Sequence, residues 1–293
     1  MKIIFIGAVD FSYWTLKKLL DINADIVGVI TKEASAFNSD FSDLSPICVS
    51  HDIDWKYVKN VNHEANLQWI KSHNPDIIFC FGWSQILGSE LLNIPPLGVI
   101  GYHPAKLPFN RGRHPLIWAL CLGLDETAST FFIMDEGADT GDIISQLTVK
   151  INKKDDAASL YQKLISVSLA QIEAFMPLLE SGTLNRKSQD GDVGNSWRKR
   201  SEKDGEIDWR MSSENIYNLV RALSRPYIGA HFIHHETKVK VWKVKIVDNK
   251  VANVEPGKVL AIINGMPSIK CGEASVLIEE MEPVIKLKSG DYL

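Results

Sequence analysis

"KIIFIGA", residues 2–8, is an almost uninterrupted apolar run at the start of the chain. A run without polar alternation is typical of a strand that is buried on both faces of a parallel sheet. Similar runs follow as "ADIVGVI" (24–30), "DIIFCFG" (76–82) and "LGVIGYH" (97–103), and helical spacing lies between them. These repeated strand–helix units predict an α/β fold with a Rossmann-like, mostly parallel sheet that is covered by helices.

The same pattern gives the other elements of the first half of the chain. Pro and Gly residues mark several of their ends, and Ser12 is a plausible N-cap for the first helix. Helices are predicted over 12–20, 64–74, 114–123 and 155–182, and further strands over 128–135 and 142–150.

The second half of the chain begins with a polar, Gly-containing stretch, residues 183–206. This composition indicates either a linker between domains or a solvated loop inside one domain. A capped helix over 212–226 comes next, followed by short strands that are separated by turn residues. They predict a small β-rich domain that resembles an OB-like barrel. The expected division is a Rossmann-like domain over 1–185, a linker over 186–205 and a C-terminal domain over 206–293.

Composition restricts the classes of function. The 293 residues are 45% hydrophobic and 23% charged, as in ordinary globular proteins. The net charge of −4 argues against a protein whose main function is to bind nucleic acid. No run approaches the roughly 20 apolar residues that span a bilayer, and the N-terminus lacks a signal peptide. The four cysteines are scattered and form no C-x-x-C pair. We therefore expect a cytoplasmic protein with reduced, mostly buried thiols.

Several common catalytic motifs are absent from the sequence. The segment "GAVDFS" (7–12) has one glycine, so it does not form the G-x-G-x-x-G fingerprint of dinucleotide binding. Neither a phosphate-binding P-loop nor a G-x-S-x-G elbow occurs. "HFIHH" (231–235) is interpreted as an exposed strand rather than a metal site, with His231 and His235 on one face.

The loop after the fourth strand holds the first candidate site. His103 closes that strand, and Arg111-Gly112-Arg113-His114 follows. Ligands of parallel sheets bind at the carboxyl ends of the strands, and Arg side chains suit a diphosphate or a carboxylate. The alternative is a solvated turn that happens to be charged.

A second candidate lies in "MDEGADTGDIISQ" (134–146), an acidic, Gly-containing loop. One of its carboxylates could orient a histidine for acid–base chemistry. Taken alone, the loop could equally be a simple turn.

Together these stretches resemble the formyltransferase family that uses 10-formyltetrahydrofolate. Its motif is Asn-x-His at a strand end, then Leu-Pro and Arg-Gly, and later Asp-x-Gly-Asp. Residues 101–103, 107–108, 111–112 and 139–142 are the counterparts, and the similarity extends through 204–230 into the closing β module. His103 and Asp139 are 36 positions apart, which is the spacing of the family.

The resemblance implies roles for the catalytic residues. His103 would stabilise the oxyanion and move protons, and Asp139 would orient His103. Gly101 stands where the family has an Asn that helps to hold the oxyanion, and glycine has no side-chain donor. Losing such a donor costs roughly 10²–10³ in rate. Gln85 and Asn110 are candidate substitutes; otherwise the chemistry depends on His103 alone or activity is lost.

The resemblance also implies the cosubstrate, 10-formyltetrahydrofolate, without a metal. Its pterin would lie against the backbone of "FGWSQIL" (81–87) and the loop around Asp139. The expected contacts are Phe81, Gly82, Trp83, Gln85, Ile86, Leu87, Asp135, Gly137, Ala138, Thr140 and Asp142.

Three branches of the family differ in the amine that they formylate. The methionyl-tRNA branch carries a basic insertion after the second strand, whereas "TKEASAFNSDFSDLS" (31–45) is acidic here, and the terminal module is nearly neutral. The purine branch usually lacks a further β module. The sugar branch, through "RGRHP" (111–115) and "SRPYIGA" (224–230), is the most similar.

We therefore expect a nucleotide-linked amino deoxysugar as partner, no nucleic acid, no membrane and a homodimer. The alternatives are a methionyl-tRNA formyltransferase and a homologue that binds folate or sugar nucleotide without catalysis. The expected substrate contacts are Asp10, Phe11, Ser12, Arg111, Arg113, His114, Trp209, Arg221, Arg225 and Tyr227.

Overall fold

Seven strands form the larger sheet of the structure, a computed structural model that describes residues 1–35, 39–191, 193–248 and 251–293. Residues 36–38 of the acidic segment and residue 192 of the expected linker lie outside the described residues. The strands of the first half are β1 (Lys2–Ile6), β2 (Asp25–Thr31), β3 (Trp55–Tyr57), β4 (Ile77–Cys80), β5 (Val99–His103), β6 (Arg111–Gly112), β7 (Glu126–Ile133) and β8 (Ile143–Lys150).

The order in the larger sheet is β3-β2-β1-β4-β5-β7-β8. Strands β1 to β5 pair in parallel, and β7 is antiparallel to β5, with Gly101 opposite Phe132 and His103 opposite Thr130. The predicted mostly parallel sheet is therefore confirmed. The three-residue strand β3 was not predicted because it is only half-buried and lacks an apolar run.

Seven α-helices accompany the strands in the described part of the chain. Their predicted counterparts agree within a few residues, except for two short helices that carry little periodic signal, α2 and α4. The helices are α1 (Asp10–Asp21), α2 (Ser45–Ser50), α3 (Glu64–Ser72), α4 (Ser89–Leu92), α5 (Pro115–Cys121), α6 (Ala157–Glu180) and α7 (Ser213–Ala222).

The start of α1 differs from the prediction. The helix begins at Asp10, so Ser12 lies inside the first turn and is not the N-cap. Its buried hydroxyl accepts hydrogen bonds from the N–H groups of Ala8 (3.1 Å) and Val9 (3.2 Å) and donates to the carbonyl of Phe81 (2.6 Å). The hydroxyl thus joins the ends of β1 and β4.

Aromatic rings pack in the core of the part of the chain that forms the larger sheet. Phe5, Phe79, Phe81 and Phe131 are fully buried, and their rings meet at centroid distances of 5.3–5.7 Å. Burying such a side chain contributes roughly 1.5–3 kcal/mol. This packing joins β1, β4 and β7.

The chain divides into two compact units. The first comprises residues 1–115, 127–149 and 162–197, and the second comprises 116–126, 150–161 and 198–293. The expected linker is shared between them. Its residues 196–197 form β9 (Ser196–Trp197), which pairs in parallel with β6, and Glu202–Gly205 form a 3₁₀ helix. The domain boundaries 1–185 and 206–293 stay a prediction.

The second unit contains a five-stranded antiparallel sheet, as the turn-rich sequence predicted. Ser212 is the N-cap of helix α7, and its hydroxyl accepts from the N–H of Asn215 at 3.2 Å. The sheet has the order β10-β11-β14-β13-β12. Its strands are β10 (Ala230–His234), β11 (Thr237–Val247), β12 (Val259–Ile263), β13 (Met266–Lys270) and β14 (Ser275–Glu282).

The histidine-rich strand differs from its interpretation as an exposed strand. His231 is buried, and β10 ends at His234. His235 and Glu236 form the turn to β11 with left-handed backbone angles, so His231 and His235 do not share a strand face.

Burial of the thiols agrees with the sequence analysis. Cys48, Cys80 and Cys271 are buried, Cys121 is half-buried, and all four are free thiols. Burial raises the pKa of Cys80 to about 12. In the described part of the chain, no helix is both long and apolar enough to cross a membrane.

Candidate active site

His103 is the last residue of β5 and is only 4% exposed. Its Nε2 atom lies 2.7 Å from the carbonyl oxygen of Asn110. Because a carbonyl only accepts, this contact places a proton on Nε2. The other ring nitrogen, Nδ1, faces the Oδ2 atom of Asp139 at 3.5 Å. The structure therefore brings together the two residues that the motif spacing singled out.

Asp139 lies in the loop between β7 and β8, with a left-handed backbone (φ 59°). Its Oδ2 atom also accepts a hydrogen bond of 2.9 Å from the N–H of Gly112. The 3.5 Å to His103 is longer than the roughly 2.7–2.9 Å that is typical of charge-assisted hydrogen bonds. The carboxylate can therefore orient the His103 ring from its Nδ1 side.

Two glycines allow these loops to lie close to neighbouring backbone. Gly112 has φ 96°, and a Cβ there would lie 2.4 Å from the carbonyl oxygen of Trp197. A Cβ on Gly141 would lie 1.7 Å from the carbonyl oxygen of Ile133. Any side chain at either position would displace backbone. The Arg-Gly and Asp-Thr-Gly-Asp motifs therefore use glycine for steric reasons.

Gln189 is a residue of this site that the sequence analysis missed. Its Nε2 atom donates to the carbonyls of Asp139 (2.9 Å) and Gly141 (2.7 Å). Its Oε1 atom accepts from Nη2 of Arg111 at 2.9 Å. Gln189 lies in the polar stretch interpreted as a linker, where a glutamine gives no periodic or motif signal.

Arg111, Arg113 and His114 lie in the segment that follows His103. The Nε atom of Arg111 is buried and has no hydrogen-bond partner among the described residues. Nη1 of Arg113 donates to the carbonyl of Ser84 at 3.4 Å, which joins this loop to the segment after β4. The electropositive groups are therefore concentrated at the carboxyl end of the sheet.

Gly101 faces an apolar contact rather than an open space. A Cβ there would lie 2.8 Å from Cγ of Met134 and 3.0 Å from Cζ of Phe132. Met134 is half-buried and packs with Leu107, Phe132 and Ile143. The Met134 side chain thus occupies part of the volume that a side chain at position 101 would need.

The two suggested replacements for the missing asparagine differ. Gln85 is committed elsewhere: its Oε1 atom accepts from the N–H of Val61 at 3.2 Å, and its Nε2 atom donates to the carbonyl of Lys59. These contacts hold the Gln85 amide toward Val61 and Lys59 and use one of its two N–H donors. Asn110 adjoins His103 through its carbonyl and has a left-handed backbone (φ 64°), so it remains the nearer candidate.

The acidic loop contains an internal turn. Asp135 Oδ1 accepts from the N–H of Gly137 (3.0 Å) and from the hydroxyl of Thr140 (2.6 Å). Ala138 is exposed at the tip, and the carbonyl of Asp142 accepts from the N–H of Ile133 at 2.8 Å. The carboxylates thus have different roles, because Asp135 shapes the loop while Asp139 faces the histidine.

The expected substrate contacts at the start of α1 need correction. Phe11 is 3% exposed and stacks on Tyr102 with ring centroids 4.0 Å apart, and Ser12 is fully buried. Both are structural because their polar or aromatic surfaces are already covered. Asp10 is exposed, and desolvation together with the Asp40 carboxylate raises its pKa.

Two of the expected contacts in the second unit are buried. Trp209 is 7% exposed and packs edge-on against Phe232, with ring centroids 5.5 Å apart. Arg221 is buried and donates to Asn218 Oδ1 (2.8 Å) and to the carbonyl of Asp155 (3.0 Å). Burial of an indole and of a guanidinium cannot be predicted from the residue type alone.

Arg225 and Tyr227 are more accessible. Arg225 is exposed, forms an ion pair of 2.7 Å with Glu280 and lies over the ring of Trp242 at 4.3 Å. It lines a cavity of about 340 Å³ within the second unit, together with Arg221 and Trp242. Tyr227 is half-buried in the turn after α7.

Comparison with known proteins identifies the family of this chain. Residues 1–172 match the family described as formyl transferase, and residues 199–289 match the formyl transferase C-terminal domain. The chain belongs to the formyl transferase family.

Members of this family differ in how much of their length the chain covers. It is 35% identical over 248 residues to the bifunctional polymyxin resistance protein ArnA of Wigglesworthia glossinidia brevipalpis, covering 84% of this chain and 38% of ArnA. It is 29% identical to the methionyl-tRNA formyltransferase of Clostridioides difficile, covering 100% of this chain and 96% of that protein. The chain therefore matches only part of the bifunctional relative.

A solved formyltransferase shares the fold. The N-formyltransferase from Helicobacter canadensis, in complex with folinic acid and dTDP-3-aminofucose, superposes with a TM-score of 0.70 at 16% identity. The match covers 95% of this chain and 98% of that chain. At this identity the likeness shows the fold alone.

The segment after β4 fits an acceptor-rich cosubstrate such as the folate of this formyltransferase family. Trp83 has a buried indole N–H without a partner among the described residues, with Lys32 4.8 Å from the ring centroid. Together with the Nε atom of Arg111, it offers a donor that is not satisfied internally. Gly82 has φ 69°, and Ile86 is 84% exposed.

Phe81 and Leu87 could contribute to that cosubstrate through their backbone only, because their side chains are buried in the core. The carbonyl of Phe81 already accepts from Ser12. Side-chain contacts with the cosubstrate would then come from residues 82–86, in the middle of the segment.

Proposed function

We propose that the chain transfers a formyl group from 10-formyltetrahydrofolate to the amino group of a nucleotide-activated amino deoxysugar. The observation that carries the proposal is the His103–Asp139 pair at the end of β5, with Asp139 held by the N–H of Gly112. The neighbouring Arg111 and Arg113 supply positive charge for a diphosphate.

The cosubstrate supplies an electrophilic formyl carbon on its N10 atom. A bond forms from the amine nitrogen to that carbon, the bond to N10 breaks, and the proton lost by the amine ends on N10. Holding both reactants side by side accounts for much of the rate.

His103 contributes the N–H on Nε2 that now faces Asn110. A developing oxyanion is a stronger acceptor than a neutral carbonyl, so it competes for this N–H. Asp139 orients the His103 ring from its Nδ1 side and, through water, would help to remove the amine proton. Since position 101 offers no side-chain donor, His103 carries more of the oxyanion stabilisation than in a site with an asparagine there.

Three observations support a sugar nucleotide as the acceptor. The solved Helicobacter canadensis relative was crystallised with a dTDP-sugar, the net charge of this chain is −4, and the loop beside His103 carries two arginines. Methionyl-tRNA remains the second candidate, because a methionyl-tRNA formyltransferase matches the chain over its full length. A homodimer and a cytoplasmic location stay predictions.

The experiment is to incubate the protein with 10-formyltetrahydrofolate and a panel of nucleotide-linked amino sugars, with charged initiator tRNA in a parallel arm. Mass spectrometry should show a gain of one formyl group on a sugar nucleotide. Efficient formylation of the tRNA alone would overturn the sugar assignment. Saturable folate or nucleotide binding without any formyl product would instead indicate a homologue that binds and does not catalyse.

A further inference from the structure

We propose that Gln189 is a positioning residue for formyl transfer, which sets the place of Asp139 beside His103 by joining two loops. The inference rests on the proposed function. It concerns a side chain in the polar stretch after α6, well outside the motifs that carry the resemblance to the family.

The carboxamide of Gln189 uses both of its ends. A primary amide has two N–H donors, and here Nε2 lies within hydrogen-bond distance of the carbonyls of Asp139 and Gly141. Its oxygen accepts from the guanidinium of Arg111. One half-buried side chain thus contacts both the loop that holds Asp139 and the loop that holds Arg111 and Gly112.

The orientation of the carboxamide follows from its partners. A guanidinium cannot accept a hydrogen bond, and a carbonyl cannot donate one, so the oxygen must face Arg111 and the nitrogen must face the two carbonyls. No flipped orientation satisfies the three contacts.

These contacts lie next to the reacting pair. Asp139 meets Gln189 through its backbone carbonyl and meets His103 and Gly112 through its side chain. Asp139, with its left-handed backbone, is therefore contacted by Gln189 at its main chain and by His103 and Gly112 at its side chain. Since a misplacement of about 1 Å can cost about 10²-fold in rate, the bridge can control catalysis without touching substrate.

The test compares Gln189→Met, which keeps the length but removes the hydrogen bonds, with Gln189→Glu. The glutamate keeps an acceptor for Arg111 but places carboxylate oxygens against two carbonyls. We expect kcat to fall about 10–100-fold in both variants, with KM for each substrate within about 3-fold of wild type. The control is Gln68→Met, on the exposed face of α3, where Gln68 contacts only Glu64 in the described hydrogen bonds. That variant should keep wild-type kcat.

A double-mutant cycle separates positioning from general loosening. If Gln189 acts through Asp139, Gln189→Met should cost little further rate in an Asp139→Asn background. The proposal would be overturned if the two single-variant losses of kcat multiply in the double variant. A kcat of Gln189→Met within about 2-fold of wild type would also overturn it.

A readout without turnover distinguishes this proposal from the proposed function. In protein labelled with ¹⁵N-histidine, the His103 ring signals are assigned by their disappearance in His103→Gln. Gln189→Met should shift the His103 Nδ1 signal more than the ring signals of the other seven histidines. Unchanged His103 signals would contradict the positioning role, even if wild-type protein formylated none of the tested amines. That last result would count against the proposed function alone.

Discussion

The Oδ2 atom of Asp139 accepts a hydrogen bond from the backbone N–H of Gly112, 2.9 Å away. The same oxygen lies 3.5 Å from Nδ1 of His103. One carboxylate therefore fixes the Arg-Gly loop and faces the histidine at once. This double contact joins three parts of the site that lie apart in the sequence, although His103 and Asp139 are separated by 36 positions.

Replacement of Asp139 by Asn should reduce kcat by about 10²–10⁴-fold. An amide oxygen can still accept from Gly112, so the loop should keep its place, but a neutral amide cannot take up a proton as the carboxylate can. Steady-state kinetics on the accepted amine measure the effect. Glu136→Gln, at an exposed position of the same loop, is the matched control and should retain activity. Equal activity of wild type and Asp139→Asn would exclude the carboxylate from the mechanism.

Gly112→Ala should lower both activity and stability. The new Cβ would lie 2.4 Å from the carbonyl of Trp197 in a left-handed backbone, so the loop that contacts Asp139 must shift. Gly182 is the matched control, because it has φ 69° and a Cβ added there would meet nothing within 4 Å. Gly182→Ala should cost roughly 1–2 kcal/mol of stability and leave kcat unchanged. Thermal unfolding and kinetics on both variants test this, and equal kcat losses would contradict the steric argument.

Gly101→Asn should raise kcat at least about 10-fold, since a single oxyanion donor is worth about 10²–10³. Met134 and the edge of the Phe132 ring must move aside, and the flexible thioether chain can do so more easily than backbone. Gly101→Ala adds the Cβ without the amide, so it should show the packing cost without the gain. A rate for Gly101→Asn no higher than that for Gly101→Ala would mean that another donor already serves the oxyanion.

Stability of the second unit should fall as the pH drops below about 6.5, the ordinary pKa of an unfolded histidine. Burial lowers the pKa of His231, although the Glu206 carboxylate opposes the shift. Below about pH 6.5 the unfolded chain binds a proton at His231 that the folded chain binds less readily. The stability that neutral His231 contributes is therefore present above this pH and is lost as the pH falls. Denaturant unfolding at about pH 7.5 and about pH 5.5, on either side of that pKa, should show this loss in wild type and a smaller one in His231→Gln. His235→Gln, at the exposed turn, should behave like wild type; identical pH slopes in all three proteins would refute the assignment.

The sheet and the catalytic pair could be predicted because their signals are local. Continuous apolar runs identify buried parallel strands, and the end of such a run placed His103 at the edge where ligands bind. Asp139 required the motif spacing as well, because its loop alone was compatible with a simple turn.

The remaining features depend on tertiary contacts. Phe11, Trp209 and Arg221 have the residue types of ligand contacts, yet each is buried by neighbours that are distant in sequence. Gln189 contacts Arg111 and Gly141 across 78 and 48 positions in a stretch without periodicity. Side-chain hydrogen bonds of this kind follow from the fold and leave no pattern in the sequence.

The central claim is that His103 performs formyl transfer, and the single-turnover rate of His103→Ala tests it most directly. Enzyme in excess over 10-formyltetrahydrofolate is mixed with saturating amino sugar nucleotide, and formyl product is quantified by mass spectrometry. Quenching of tryptophan fluorescence reports folate binding separately. The rate should fall by about 10²–10⁴-fold while folate binding is retained. A His103→Ala rate within about 3-fold of wild type would contradict the claim.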